Sequence, residues 1–346
     1  MKRVLTAMLL AAVSMSAWAG ELQPKQVAAG AVWVAHVDVQ AFLGSQTGQL
    51  LVDLLKEQSQ FDSQLKAFVA TWGFNPLKDL KGVTFYGTDF TPDSMVAIGN
   101  GTYSKDTLLK WLKANKDHTE SPYGDFTIHH WIQPPENPGE NGVRFGVFYS
   151  DDTVVIARTK ETLEKAIDVM QGKANSLDPK ADLLPEQPKG TFAVAVVKGR
   201  PPQTPKPNGL MFWNPSPITK SITGGHYVVG ELDKKLFVTG ALTAASDKEA
   251  KKIRQIAQGW VAMAQMAQED NPQSQPAMVN VLAGITIAGE SNQVTLNASL
   301  SVDDLKVMAN EVRKAREIAS QAVERAASQR AQGVQSGTGG ASSQPA

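Results

Sequence analysis

Arg144-Phe-Gly-Val-Phe-Tyr149, Ser150-Asp151-Asp152, Thr153-Val-Val-Ile-Ala-Arg158 and Thr159-Lys-Glu-Thr-Leu163 follow one another without a gap, and their order decides the fold. Two runs rich in β-branched and aromatic residues flank a short polar turn, the pattern of a β-hairpin. Thr159 then opens a helix. Its hydroxyl accepts from a free N–H of the first helical turn, and the acidic residue behind it suits the positive end of the helix dipole. Strand, turn, strand, cap and helix form one unit, and the chain uses it four times.

Ser94 to Asn100 reads as a strand ahead of Ser104-Lys-Asp-Thr-Leu108. His226 to Glu231 and Lys235 to Leu242 pair around Asp233-Lys234, ahead of Ser246-Asp-Lys-Glu-Ala250. Gly284 to Ala288 and Gln293 to Leu300 pair around Glu290-Ser-Asn292, ahead of Ser301-Val-Asp-Asp-Leu305. Only Ser246 with Glu249 has the full capping-box spacing. In Leu236 to Leu242, the residues Leu236, Val238 and Leu242 share one side, as a half-buried strand requires. Further strands are expected at Ala31 to Val39, Gly82 to Tyr86, Phe126 to Ile132 and Thr191 to Val197. Two helices fit Ala41 to Trp72, broken near Ser59 to Asp62, with Gly73 as cap and Pro76 as stop. The expected fold is α+β, with antiparallel sheets of repeated hairpin–helix units and helices packed on one face. It divides into two related halves, 20–180 and 188–330, joined by the polar stretch Asn175 to Pro188. A last helix is expected from Val302 to about Arg330, with Leu305, Met308, Val312, Ala315 and Ala319 at helical spacing. The Gly/Ser-rich tail 331–346 is expected to be disordered.

Upstream of all this, Lys2 and Arg3 precede the apolar run Val4 to Val13 and the sequence Ala17-Trp18-Ala19 before Gly20. Basic region, hydrophobic core and small-x-small site make a secretory signal peptide over 1–19. The run falls short of the ~20 apolar residues a bilayer span needs, so no transmembrane segment is expected in the mature chain. The expected compartment is the periplasm of a bacterial envelope, or the medium outside it. Removing Lys2 and Arg3 from 34 basic residues leaves two fewer than the 34 acidic ones. A balance near −2 gives no electrostatic reason for a nucleic-acid partner. Cysteine is absent. That inventory excludes disulfides, thiolate nucleophiles, zinc–cysteine sites and lipidation of a cysteine after the signal.

The candidate sites are few. His129 and His130 are neighbours in a strand and point to opposite faces, so they do not share an ion. His130 falls with Phe126, Ile128 and Ile132 and belongs inside; His129 is expected to face solvent. His36 and Asp38 share a strand face at i and i+2, where a carboxylate can orient an imidazole for acid–base work, though no nucleophile stands nearby. Asp151-Asp152 and Asp303-Asp304 serve turns and caps and lack the spacing of a calcium loop. Gly99-Asn-Gly101 lacks the rest of a phosphate-binding motif. No catalytic residue, cofactor or metal ligand is therefore assigned. Two proline-rich loops, Gln133 to Asn141 and Arg200 to Pro217, cannot be regular helix or central strand. The second contains Leu210, Met211, Phe212 and Trp213, which either anchor a partner or fold back onto the core.

Gly73-Phe-Asn-Pro-Leu-Lys-Asp-Leu-Lys-Gly-Val-Thr-Phe-Tyr-Gly87, the helix after Ser246 and the stretch Gln293 to Val302 carry one further indication. In them the chain resembles a loose group of exported bacterial proteins with a signal peptide and duplicated strand–helix halves. The resemblance implies an exported α+β protein and no activity, cofactor or site residue. The expected function is binding of a protein, peptide or envelope component at the sheet surface or the Pro-rich loop. The alternatives are a hydrolase with a dispersed site around His36 and Asp38, or an envelope scaffold assembling through its C-terminal helix.

Overall fold

Asp233 and Lys234 both adopt positive φ, 50° and 61°, although neither is glycine. Two such residues between paired Leu232 and Lys235 make a type I′ turn, whose twist matches that of the strands it joins. The strands are β9 (Ile222–Leu232) and β10 (Lys235–Ala244). The computed structural model that places them describes residues 20–134, 142–178, 184–200, 219–269 and 284–311, and 313–314, 317–318 and 321 beyond.

The other strands are β1 (Trp33–Asp38), β2 (Leu80–Gly87), β3 (Met95–Gly101), β4 (Thr119–Tyr123), β5 (Phe126–Ile132), β6 (Val143–Ser150), β7 (Thr153–Ala157), β8 (Thr191–Lys198), β11 (Ile285–Ala288) and β12 (Gln293–Ser301). All twelve form one antiparallel sheet, in the order β11-β12-β10-β9-β8-β1-β2-β3-β7-β6-β5-β4. At ~4.8 Å per strand it is about 53 Å wide. The order β1-β2-β3-β7-β6 is repeated as β8-β9-β10-β12-β11, and the two sets meet where β1 pairs with β8. Strands β4 and β5 extend one end.

The helices are α1 (Val39–Gly44), α2 (Gln46–Lys56), α3 (Phe61–Trp72), α4 (Lys105–Ala114), α5 (Lys160–Met170), α6 (Asp247–Glu269) and α7 (302–311). The four expected caps are all made. Ser104, Thr159, Ser246 and Ser301 each accept from the N–H three residues on, at 3.0 to 3.3 Å. Glu249 does not close a capping box; its carboxylate binds Ser221 Oγ and Lys252 Nζ instead. Gly73 ends α3 in the left-handed conformation.

The α+β class and the antiparallel sheet agree with the sequence reading. One detail needs refinement: the helices occupy both faces. Leu163, Ala166 and Ile167 of α5 pack with Val34, Val96, Ile98, Val155, Ala157 and Val196 into the main core. Ala250 and Ile253 of α6 pack with Leu242, Ala244, Val294 and Ile287. Register puts the two groups on opposite sides, because Val34 pairs with Val196, Val196 with His226 and His226 with Ala241, the neighbour of Leu242. Each helix goes where its own hairpin is apolar. In β10 that is the side of Leu236, Val238 and Leu242; Thr239 and Thr243 take the other.

On the α6 side, α4 covers the far end of the sheet. Trp111 of α4 lies between Trp72 of α3 and Trp131 of β5, with ring centres 4.5 and 6.3 Å away. A carboxylate from the second repeat holds the helices of the first: Glu231 accepts from the N–H groups of Gln46 and Thr47 at 3.0 and 2.7 Å. Its partial burial works against the charge, but the hydrogen bonds from Thr47 and Gln46 outweigh this and keep the carboxyl below its ordinary range. Arg313 Nε reaches both oxygens of Glu57, at 2.8 and 2.9 Å, tying the chain beyond α7 to the end of α2.

Leu163 is fully buried, whereas Leu51 of α2 is exposed. Leu163→Ala is expected to lower unfolding free energy by about 3 kcal/mol. Leu51→Ala is expected to change it by less than about 1 kcal/mol. Urea unfolding of the purified mature chain checks both.

Candidate functional site

The central strands present two unequal faces. Val34, His36, Thr84, Tyr86, Val96, Ile98, Val194 and Val196 are all buried beneath α5 and the segment before β1. On the reverse face, Val37 of β1 is 40% exposed, Phe85 of β2 39% and Tyr227 of β9 50%. A single row of paired residues crosses there from β10 to β3: Gly240, Tyr227, Ala195, Ala35, Phe85 and Ala97. Helices stand at both ends of this face, α4 at one and α6 at the other. Between them runs a partly exposed strip of sheet, the trough, with α2 standing over the same face where its Gln46 and Thr47 N–H groups reach Glu231.

The floor of the trough is made of small and apolar side chains. Trp33, Ala35 and Val37 of β1 lie beside Val197, Ala195 and Ala193 of β8. Phe85 and Tyr227 occupy equivalent places on the strands flanking that pair and stand three strand spacings apart, about 14 Å. A solvated sheet face looks different in this same chain. On the opposite side of β12 stand Gln293, Thr295, Asn297, Ser299 and Ser301, while the neighbouring β10 puts Phe237 and Ala241 there beside Thr239 and Thr243. Val37, Phe85 and Tyr227 are the exposed members of this strip, and Trp33, Val197 and the alanines are half-buried. Residues further along α6 extend the apolar surface, since Ile256, Trp260, Met263 and Met266 are all exposed and Trp260 shares the helical phase of the buried Ile253.

His36 and Asp38 do share a face, and they line a cleft of about 410 Å³ with Glu21, Leu22 and the 187–194 segment. Each is already engaged. His36 Nε2 is 2.9 Å from the Gly20 carbonyl, so it carries the hydrogen and donates; Nδ1 then accepts from Thr84 Oγ1, also at 2.9 Å. Asp38 Oδ1 accepts from the Ala41 N–H at 2.8 Å and caps α1. Burial lowers the His36 pKa below its ordinary 6.5, and the Gly20 hydrogen bond and the Asp38 charge offset this only in part. Both ring nitrogens of His36 are thus engaged, and Asp38 gives one carboxylate oxygen to the α1 cap.

His129 does not face solvent, contrary to the sequence reading; it is buried and His130 is only half-buried. The face His129 shares with Trp131 is covered by α4 and by the connection into β4. Strand β4 itself was not expected, because Pro122 and polar residues hide its pattern. A readable signal exists at Gly124-Asp125, a two-residue turn with Gly124 at φ 57° between paired Tyr123 and Phe126. Register from that turn sets Glu120 opposite His129 and places His118 two residues before Glu120. Among the described residues these three are the group whose ligand atoms converge.

Leu210, Met211, Phe212 and Trp213 lie outside the described residues, as do the segment 1–19 and the tail 331–346. No protein-family model matches the chain. No curated protein matches it either. Among solved structures, crystal form III of TP0453 superposes with a TM-score of 0.43 at 11% identity, covering 84% of this chain and 99% of that one. Crystal form I gives 0.42 at 10% identity, covering 85% and 99%. Likeness of that size carries no argument for this chain. Among the described residues no helix is long and apolar enough to cross a membrane.

The pKa directions make stability pH-dependent. His36, His129 and His226 are all lowered, chiefly by burial. Below pH 6.5 the unfolded chain takes up protons that the folded chain refuses, so stability is full above 6.5 and declines towards the folded pKa values. Thermal midpoints are expected to fall between pH 7 and pH 5. The slope is expected to be shallower in His36→Gln, whose amide retains a donor for Gly20.

Proposed function

We propose that the protein is an exported binding protein that receives an apolar α-helical segment of a partner protein in the open trough. The observation that carries this is the contrast between an Ala-floored apolar face at the centre of the sheet and the uniformly polar outer side of β12, Gln293, Thr295, Asn297, Ser299 and Ser301. The walls favour a helix. Phe85 and Tyr227 stand about 14 Å apart, and a helix with its side chains is ~10–12 Å across. An extended peptide finds no edge to pair with there, because every strand beneath the trough is hydrogen-bonded on both sides. Alanines let the helix approach closely while the two rings and Val37 grip its flanks.

A library of displayed helical peptides, selected on the purified mature chain, tests this directly. Selected peptides are expected to carry apolar residues at i, i+3, i+4 and i+7. They are expected to lose binding to the Phe85→Ser/Tyr227→Ser variant, shown by urea unfolding to remain folded under the binding conditions. Selection of extended sequences, or binding that survives the double substitution, overturns the reading.

Export rests on the signal-like segment 1–19, and the surroundings of Gly20 support it. Gly20 is buried, its carbonyl accepts from His36, and a Cβ added to it would collide with the Asp38 carboxylate. A larger residue there would have to displace that carboxylate from its place. Cleavage after Ala19 would free an α-ammonium group beside that carboxylate, a favourable pair. Intact-mass measurement of the exported protein is expected to give a chain beginning at Gly20. Asp38→Asn is expected to lower the thermal midpoint of the processed chain.

A further inference from the structure

The atoms His118 Nε2, His129 Nδ1 and Glu120 Oε1 form a triangle with sides of 3.2, 3.6 and 4.0 Å. Such a triangle has an equidistant point about 2.1 Å from each corner, and Zn–N and Zn–O bonds are ~2.0–2.2 Å. From this we infer a binding site for one zinc-class divalent ion, held by His118, Glu120 and His129. This inference is independent of the trough.

The donor set selects the metal. Two imidazoles and one carboxylate suit zinc, and cobalt as its stand-in, whereas calcium and magnesium want oxygen alone. The carboxylate lies beyond good hydrogen-bond length from both rings, and the single 3.2 Å hydrogen bond between the His118 and His129 nitrogens is one an ion would replace. The scaffold is also built in advance. Glu120 and His129 are a directly opposed pair across the β4–β5 hairpin, whose two-residue turn fixes the register. His118 is set by the turn leaving α4, where its N–H donates to the Asn115 carbonyl at 3.1 Å. The Asn115 side chain in turn donates to the Ile132 carbonyl at 2.7 Å, pinning that turn to the end of β5. The His129 and Phe148 rings meet in a T-shaped contact, centroids 5.5 Å apart. Burial differs among the three, since both imidazoles are nearly covered while the Glu120 side chain is 44% exposed. A bound ion would thus have its fourth position on the solvent side, open to water. Its structural effect would be to fasten the sheet's edge strand β4 to β5 and to the end of α4.

The mature chain, stripped with a chelator and dialysed, is titrated with zinc chloride by calorimetry and with cobalt chloride by visible absorption. One ion per chain is expected, with the absorption of a four-coordinate site. Zinc is also expected to raise the thermal midpoint by mass action. His118→Gln and Glu120→Gln, on the more accessible ligands, are each expected to weaken binding at least about tenfold. His130→Gln, on the opposite face of the same strand, is expected to leave it unchanged. Zinc-induced shifts of the His118 and His129 imidazole resonances in the wild-type chain give a reading that needs no variant. Absence of saturable binding shows a hydrogen-bonded histidine pair only and overturns the site. So does binding that His118→Gln and Glu120→Gln leave intact, or zinc shifts confined to other histidines.

Discussion

The antiparallel seam between β1 and β8 is the constraint on which the rest depends. Five residues of β1, Trp33 to Val37, pair with Val197 to Ala193, joining two repeats of one strand order into a single sheet. Val34 then sits between Tyr86 and Val196, and all three belong to the core that α5 closes. Fully burying such side chains is worth about 1.5–3 kcal/mol each. Most of that core comes from the first repeat, and Val194, Val196 and Val228 of the second complete it across the seam. Glu231 adds a second link by accepting from the first turn of α2.

A pleated sheet closed on one side leaves its alternate side chains on the other. The seam makes this consequence acute, since it brings Ala35, Val37, Ala193 and Ala195 together at the middle of the exposed face. Nothing in the pleat prevents polar residues at those positions. The outer side of β12, polar from Gln293 to Ser301, shows that the same chain uses them elsewhere. Trough and core are therefore two readings of one alternation, and a substitution that flips a single strand by one residue would exchange them.

Much of this was legible in the residues. The four caps and the hairpins around Asp151, Asp233 and Ser291 came from local physics, because each rests on side-chain chemistry within a few positions. Strand Phe126 to Ile132 was readable to the residue. What local pattern could not reach was pairing. The seam joins residues about 160 apart, a separation that no turn signal encodes. The same limit hid the convergence of His118 with His129, which requires knowing that β4 exists and in which register. Pro122 masked β4 because proline argues against a strand interior, although it is tolerated at an edge. His36 and Asp38 were correctly placed on one face. Their partners, Gly20, Thr84 and Ala41, decide what they do, and of these only the local cap at Ala41 lay within reach of the sequence.

Pro122 has a further meaning at the outer end of the sheet. A sheet this broad is at risk of growing, since an uncovered edge offers a row of donors and acceptors to any neighbouring chain. On β4 one donor is missing, because proline has no N–H, so an incoming strand cannot complete its ladder. At the opposite end, β11 is only four residues long and gives a poor template. Polymerisation is thereby discouraged at both rims. The chain can then leave the half-exposed face at its centre open without pairing, rim to rim, with other copies.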